Sequence, residues 1–157
     1  FIDEGFTKIG IINAPAKNKI FFNDEEKSYV IEAKSKNEVS IQKAKQIKVS
    51  DEKQKNLIAT ISRSHNEKET ENYLENYDID KIKYIGSSYK FCLIASGEAH
   101  IYPRMSPTCE WDTAAGHAIL KTAGGNVTLL NGEELRYGFK ENNFINPYFI
   151  ASNKKII

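Results

Sequence analysis

The run Pro107-Thr108-Cys109-Glu110-Trp111-Asp112-Thr113-Ala114-Ala115-Gly116-His117-Ala118 constrains the fold of this chain more than any other. Asp112 is followed by Ala114, Ala115, Gly116 and Ala118, where an amphipathic helix would ordinarily place Leu, Ile or Phe on its buried stripe. Side chains this small let a sheet or a ligand come close to the helix backbone. The spacing predicts a helix from about Asp112 to Ala123, closed by the pair Gly124-Gly125. A carboxylate at the start of such a helix reads in two ways. It is an N-cap that accepts from the free amides of the first turn, or a hard-oxygen ligand for magnesium, which combines a few carboxylates with phosphate oxygens and water. Trp111 beside it and Arg104 a short loop upstream favour a site.

The chain around this run has 157 residues, 40% of them hydrophobic and 27% charged, enough to bury one core without a metal or disulfide as a staple. Its 22 basic and 21 acidic residues leave a net charge of +1, so no global field draws nucleic acid or an anionic bilayer, and any anion must be held by a local pocket. No apolar run approaches the roughly 20 residues of a membrane helix. Cys92 and Cys109 have neither a disulfide-framework nor a zinc spacing, which fits a reducing, cytoplasmic setting, compatible with peripheral association at an inner membrane; one stray disulfide is the alternative. The opening Phe1-Ile2-Asp3-Glu4-Gly5 lacks an initiator Met and a secretory-type leader, and Phe1 is not read as the start of a gene product.

Periodicity assigns the rest. Phe6 to Ile12, Lys19 to Phe22 and Ser28 to Ile31 are short apolar runs punctuated by Asn, Asp, Gly and Pro, which predicts an antiparallel meander whose first run is central. Residues 34–55 read as a solvated excursion or edge hairpin. From residue 56 strands and helices alternate: a buried strand at Asn56 to Ile61, a helix at Asn66 to Asn76, a strand at Lys81 to Ile85, a helix at Tyr89 to Ser96 capped by Gly97, and a strand at Ala99 to Tyr102 stopped by Pro103. After the Asp112 helix come strands at Asn126 to Leu130 and Tyr148 to Ala151, with a turn at Asn131-Gly132. The class is α/β or α+β, with helix layers on sheet.

Three further clusters offer anion chemistry. Ser62-Arg63-Ser64-His65 stands at the C-terminal end of the buried strand, where α/β folds place ligands, and it lacks the Asp spacing of a nucleophilic triad. Gly86-Ser87-Ser88-Tyr89-Lys90 offers amides, hydroxyls and an ammonium on a first helical turn without the glycine spacing of a P-loop. Tyr102-Pro103-Arg104 supplies a planar guanidinium fork. Each also has a plain structural reading as a surface histidine, a capped helix or a solvated arginine. Together with Asp112 they point to a phosphate-ester site.

Trp111-Asp112-Thr113-Ala114-Ala115-Gly116, continuing to Gly124-Gly125, resembles the C-terminal signature of the inositol monophosphatase superfamily of magnesium-dependent phosphomonoesterases. Ser62-Arg63-Ser64-His65, Ile85-Gly86-Ser87-Ser88 with Lys90-Phe91-Cys92, and Tyr102-Pro103-Arg104 are similar to its bacterial 3′(2′),5′-bisphosphate nucleotidase branch. The resemblance implies removal of the 3′-phosphate of 3′-phosphoadenosine 5′-phosphate, which yields AMP and clears a by-product of sulfate activation. It implies that Asp112 is a catalytic metal ligand lying beside the substrate, and that His65, Ser87, Lys90 and Arg104 hold the nucleotide and its 5′-phosphate. The implied fold is a layered αβαβα sandwich of which this chain supplies the second half. On this view residues 1–157 are one partial domain, with a strand meander and polar excursion at 1–55 and the nucleotide-binding and C-terminal metal-motif region at 56–157.

Two acidic motifs of that family, Gly-x-Glu-Glu and Asp-Pro-(Leu/Ile)-Asp-Gly-Thr, do not occur in this sequence. They supply most of the magnesium ligands, so the remaining Mg2+ ligands are expected outside these residues, with a separate N-terminal polypeptide as a candidate partner beside the small-molecule nucleotide bisphosphate. The alternatives are a non-catalytic or partner-dependent module, and a phosphatase of inositol phosphate or another small phosphomonoester.

Overall fold

The computed structural model describes residues 1–51, 55–63 and 68–154. Strands β1 (Ile2–Asp3) and β2 (Phe6–Thr7) make a small antiparallel ribbon across Glu4 and Gly5, both at positive φ. Strands β3 (Ile11–Ala14), β4 (Lys19–Asn23), β5 (Ser28–Glu32) and β6 (Lys45–Ile47) then form a four-stranded antiparallel sheet in chain order. The alternation of the pleat sets its faces. Ile12, Phe21 and Val30 stand in one cross-strand row that packs on the core, whereas Ile11, Phe22 and Tyr29 stand in the next row, on the other face.

The second sheet has the order β10 (Gly125–Leu129), β11 (Phe149–Asn153), β9 (Ile101–Arg104), β7 (Leu57–Ile61), β8 (Ile79–Tyr84). β7 runs parallel to β8 and β9, and β11 runs antiparallel to β9 and β10. Helix α1 (Lys68–Leu74) connects β7 to β8, as a parallel pair requires, and seats Leu74 against Leu57, Ala59, Ile61, Ile101 and Ile150 on one face of this sheet. Helices α2 (Tyr89–Ala95) and α3 (Glu110–Thr122) fill the space between the two sheets. α2 packs on β9 and β11, and α3 touches β10 on one side and β2 to β5 on the other. The layers are therefore sheet, helix pair, sheet, helix, the α/β layering expected from residue 56 onward. Among the described residues, no helix is long and apolar enough to cross a membrane.

Three expectations are corrected. The run Phe6 to Ile12 is not a central strand: it is interrupted over residues 8–10, between β2 and β3, and β3 is an edge strand with Ile11 66% exposed. In the interruption the N–H of Lys8 donates to Phe1 O at 3.0 Å, and Gly10 passes so close to α3 that a Cβ there would lie 2.2 Å from Ala115 O. Pro103 does not stop its strand. It pairs with Ile150, at a point where the ladder between β7 and β9, limited to Ala59 and Ile101, has ended, so its missing N–H interrupts nothing on that side. Finally, α3 begins at Glu110, two residues before Asp112. The earlier start is held by Glu110, whose N–H donates to Phe144 O at 2.8 Å while its buried carboxylate accepts from the N–H groups of Gly138 and Phe139 at 2.8–2.9 Å.

Candidate active site

Since α3 starts at Glu110, Asp112 lies inside its first turn and is not the N-cap. One carboxylate oxygen, Oδ2, reaches back to accept from Cys109 N at 3.1 Å, as in one half of a capping box. The residue is exposed, and among the described residues its other oxygen has no hydrogen-bond partner. The small residues after it are used by the protein itself. A Cβ on Gly116 would lie 2.5 Å from the Phe91 ring, and Ala115 receives Gly10, so the room is filled by α2 and the approach to β3.

Lys90, in the first turn of α2, is 3% exposed. Its Nζ donates to Ile85 O at 3.2 Å and Ser87 O at 2.9 Å and lies 4.7 Å from the Tyr102 ring centroid. Burial, with a smaller contribution from the Arg104 charge, lowers its pKa from 10.5 to about 8. Ser87 is exposed and takes a left-handed φ of 59°, which turns the loop 85–88 over the ammonium. Ser88 does not cap α2; its hydroxyl donates to Asp112 O at 2.8 Å and ties the loop to α3. Arg104, at the end of β9, is buried and donates from Nε to Ser106 O at 3.2 Å and from Nη2 to Pro107 O at 3.1 Å.

These elements converge. Ser87, Lys90, Arg104 and Asp112 all line one cleft of about 260 Å³, together with Ser62 from the end of β7 and Thr108 and Thr113 around the start of α3. Arg63 is exposed and faces a neighbouring hollow with Tyr89 and Lys17. Ser64 and His65 lie outside the described residues, so the expected role of His65 is not placed. Sequence reasoning missed Thr108 and Thr113. Their closeness in sequence to Asp112 was the available signal, since the first turn of a helix presents adjacent residues at one end. Two larger hollows, of about 740 and 750 Å³, contain none of the expected site residues. Size does not decide here: the smaller cleft gathers the two buried cations and the carboxylate.

The residues present do not by themselves fit a magnesium ion. Among the described residues no group of three or more His, Cys, Asp or Glu is placed to hold a metal, and the other charges in the cleft are the cations Lys90 and Arg104. A single carboxylate holds magnesium only weakly against water. What the cleft can do unaided is bind an anion through an ammonium, a guanidinium and hydroxyls.

Comparison with known proteins decides the family. The inositol monophosphatase family model matches residues 1–156. This chain belongs to the inositol monophosphatase family. A family member from Escherichia coli (strain K12), named 3′(2′),5′-bisphosphate nucleotidase CysQ, is 40% identical over 151 residues, covering 96% of this chain and 57% of the relative. The protein of the same name from Buchnera aphidicola (subsp. Acyrthosiphon pisum) is 52% identical over 96 residues, 60% of this chain and 36% of the relative. Among solved structures, CysQ from Bacteroides thetaiotaomicron, a bacterial member of the family, superposes with a TM-score of 0.82 at 34% identity, covering 97% of this chain and 60% of that one. An IMPase from Thermotoga maritima shares the fold at a TM-score of 0.73 and 22% identity, over 96% of this chain and 53% of that one. The chain thus spans less than two thirds of the length of each of these relatives.

Proposed function

We propose that this chain carries the nucleotide-binding side of a magnesium-dependent phosphatase that removes the 3′-phosphate of 3′-phosphoadenosine 5′-phosphate, giving AMP and phosphate. The observation that carries the reading is the convergence of Lys90, Arg104 and Asp112 on one cleft. Two buried cations suit a phosphate group, and the relatives' name supports a nucleotide bisphosphate over other phosphomonoesters. A carboxylate beside a bound phosphate repels it; magnesium, were it held in part by Asp112, would offset that repulsion. Its remaining ligands would be supplied by the acidic motifs of the family that this sequence lacks. Lys90, Arg104, Ser87 and His65 then hold and orient the nucleotide, and Asp112 would contribute one ligand to the metal, whose chemistry would be to activate water for attack on the phosphate. Such an enzyme belongs to the turnover of the by-product of sulfate activation.

The presence of one carboxylate also favours a second reading, a binding module that turns over substrate only with a partner. Phosphate release from 3′-phosphoadenosine 5′-phosphate with magnesium separates the two. The chain alone is expected to release little, and the chain mixed with a polypeptide supplying the Gly-x-Glu-Glu and Asp-Pro-x-Asp-Gly-Thr motifs is expected to release phosphate at an enzymatic rate. Loss of that rate in His65→Ala, Lys90→Met and Asp112→Asn supports the assigned roles. No release from the mixture leaves only the binding module, ordinary turnover by the chain alone overturns the account of the metal ligands, and a preference for inositol 1-phosphate overturns the nucleotide assignment.

A further inference from the structure

Asn146 is 4% exposed and lies outside every helix and strand, close behind the short turn Lys140–Asn142. Its backbone N–H donates to Thr108 O at 2.8 Å, and its side-chain Nδ2 donates to Thr108 Oγ1 at 3.0 Å and to Thr113 Oγ1 at 3.1 Å. The neighbours of Thr113 orient the amide. The Thr113 hydroxyl has a single hydrogen and lies 3.1 Å from Glu110 O, a carbonyl that can only accept, and within reach of the Tyr137 hydroxyl. With its hydrogen on Glu110 O it accepts from Asn146, and the Asn146 atom facing it is assigned as the nitrogen. Both Nδ2 hydrogens are then used, one on each threonine.

The two hydroxyls are left in different states. Thr113 has spent its hydrogen on the helix. Thr108 accepts from Asn146, so its own hydrogen is turned away from Asn146, and among the described residues it has no acceptor. Thr108 lines the same cleft as Lys90, Arg104 and Asp112. We infer that Thr108 is an anion-binding residue of this cleft, donating its hydroxyl hydrogen to a phosphate oxygen, and that Asn146 is the positioning residue that commits that hydroxyl to donate. A hydroxyl free to rotate serves an anion or a metal ion alike; one whose oxygen already accepts is biased towards the anion. The inference rests on the reading of the cleft as a phosphate site and adds to it a donor and the residue that orients it.

The test is calorimetric titration of the full chain with AMP and, separately, with adenosine. Wild type is expected to bind AMP more tightly. Thr108→Val loses AMP affinity on the order of tenfold to hundredfold, the range for a hydrogen bond to a charged group, with adenosine affinity unchanged, and Thr108→Ser restores it. Asn146→Ala weakens AMP binding in the wild-type background and adds no further loss on top of Thr108→Val, the non-additivity expected of a residue acting through another. Asn146→Ser keeps a small polar side chain and repeats the cycle independently, and thermal melts establish that each variant is folded. Thr108→Val binding AMP as wild type does, while Lys90→Met weakens it, overturns the inference and leaves the phosphate cleft standing. Wild type binding AMP no better than adenosine overturns both. Additive losses for Asn146 and Thr108 variants remove Asn146 from the account.

Discussion

An ammonium that is 3% exposed has lost most of its hydration, and Lys90 recovers part of it from two loop carbonyls and the face of Tyr102. Its pKa falls from 10.5 to about 8. Below pH about 8 the folded and unfolded chains both carry the proton, and the folded chain bears the cost of burying it. Between about 8 and 10.5 the unfolded chain binds a proton that the folded chain has released, so stability rises with pH across that window, by about 3 kcal/mol at most. Urea melts of wild type and Lys90→Met should show this: wild type gains relative to the variant from pH 7.5 to 10.5, and parallel stability curves would refute the burial cost. The same titration acts on binding in the opposite sense. AMP affinity falls as pH rises through 8 in wild type, and the fall is absent in Lys90→Met. At this scale the sequence was informative where a residue belongs to a local motif: Ser87, Lys90, Arg104 and Asp112 were legible and meet in one cleft. Asn146 was not, because it joins the cleft through a partner 38 residues away, and nothing local marks such a pair.

Helix α3 is the element on which the site depends, since it carries Asp112, Thr113 and the anchor Glu110. Its run of small residues was legible as a demand for close approach, but not as to what approaches. The backbone of Gly10 and the ring of Phe91 occupy the space, and Phe91 cannot yield easily: it is 1% exposed, stacked on Phe149 with centroids 5.9 Å apart and set edge-on to Tyr102 at 5.4 Å. A methyl group at position 116 would fall 2.5 Å from that ring. Gly116→Ala is therefore expected to destabilise the fold by about 1–3 kcal/mol through overpacking, more than offsetting the ~1 kcal/mol that Ala contributes over Gly to helix formation. Gly132→Ala is the comparison: it has φ of 88° and no neighbour within 4 Å, so only a backbone cost is expected there. Denaturant melts showing Gly116→Ala at least as stable as wild type would sink this account of the helix packing. Strands and helices after residue 56 were legible because each carries one clear period and a turn signal. Pro103 misled because its effect depends on whether β7 still pairs beside it, which is a property of the sheet and not of the dipeptide.

On the scale of the whole molecule, the layers bury both faces of the helix pair but leave one face of the four-stranded sheet with apolar side chains towards solvent. Ile11 on the edge strand is 66% exposed, and the rings of Phe22 and Tyr29, stacked at 5.3 Å in the same cross-strand row, are half-buried. An open strand edge beside such a row is a template for association. The sequence carried the apolar row but not its exposure, since alternation along β3 and β4 says that two faces exist and not which of them is covered. Ile11→Lys removes apolar surface without removing packing. The expected result is a melting free energy within about 0.5 kcal/mol of wild type, together with lower light scattering at a given protein concentration, because a charge on an edge strand opposes strand-to-strand pairing. A loss of 2 kcal/mol or more, the ~2–5 kcal/mol range for disrupting a buried Leu or Ile, would instead mean that this face is covered when the chain is folded in solution. Light scattering unchanged beside an unchanged melt would locate any self-association elsewhere on the molecule.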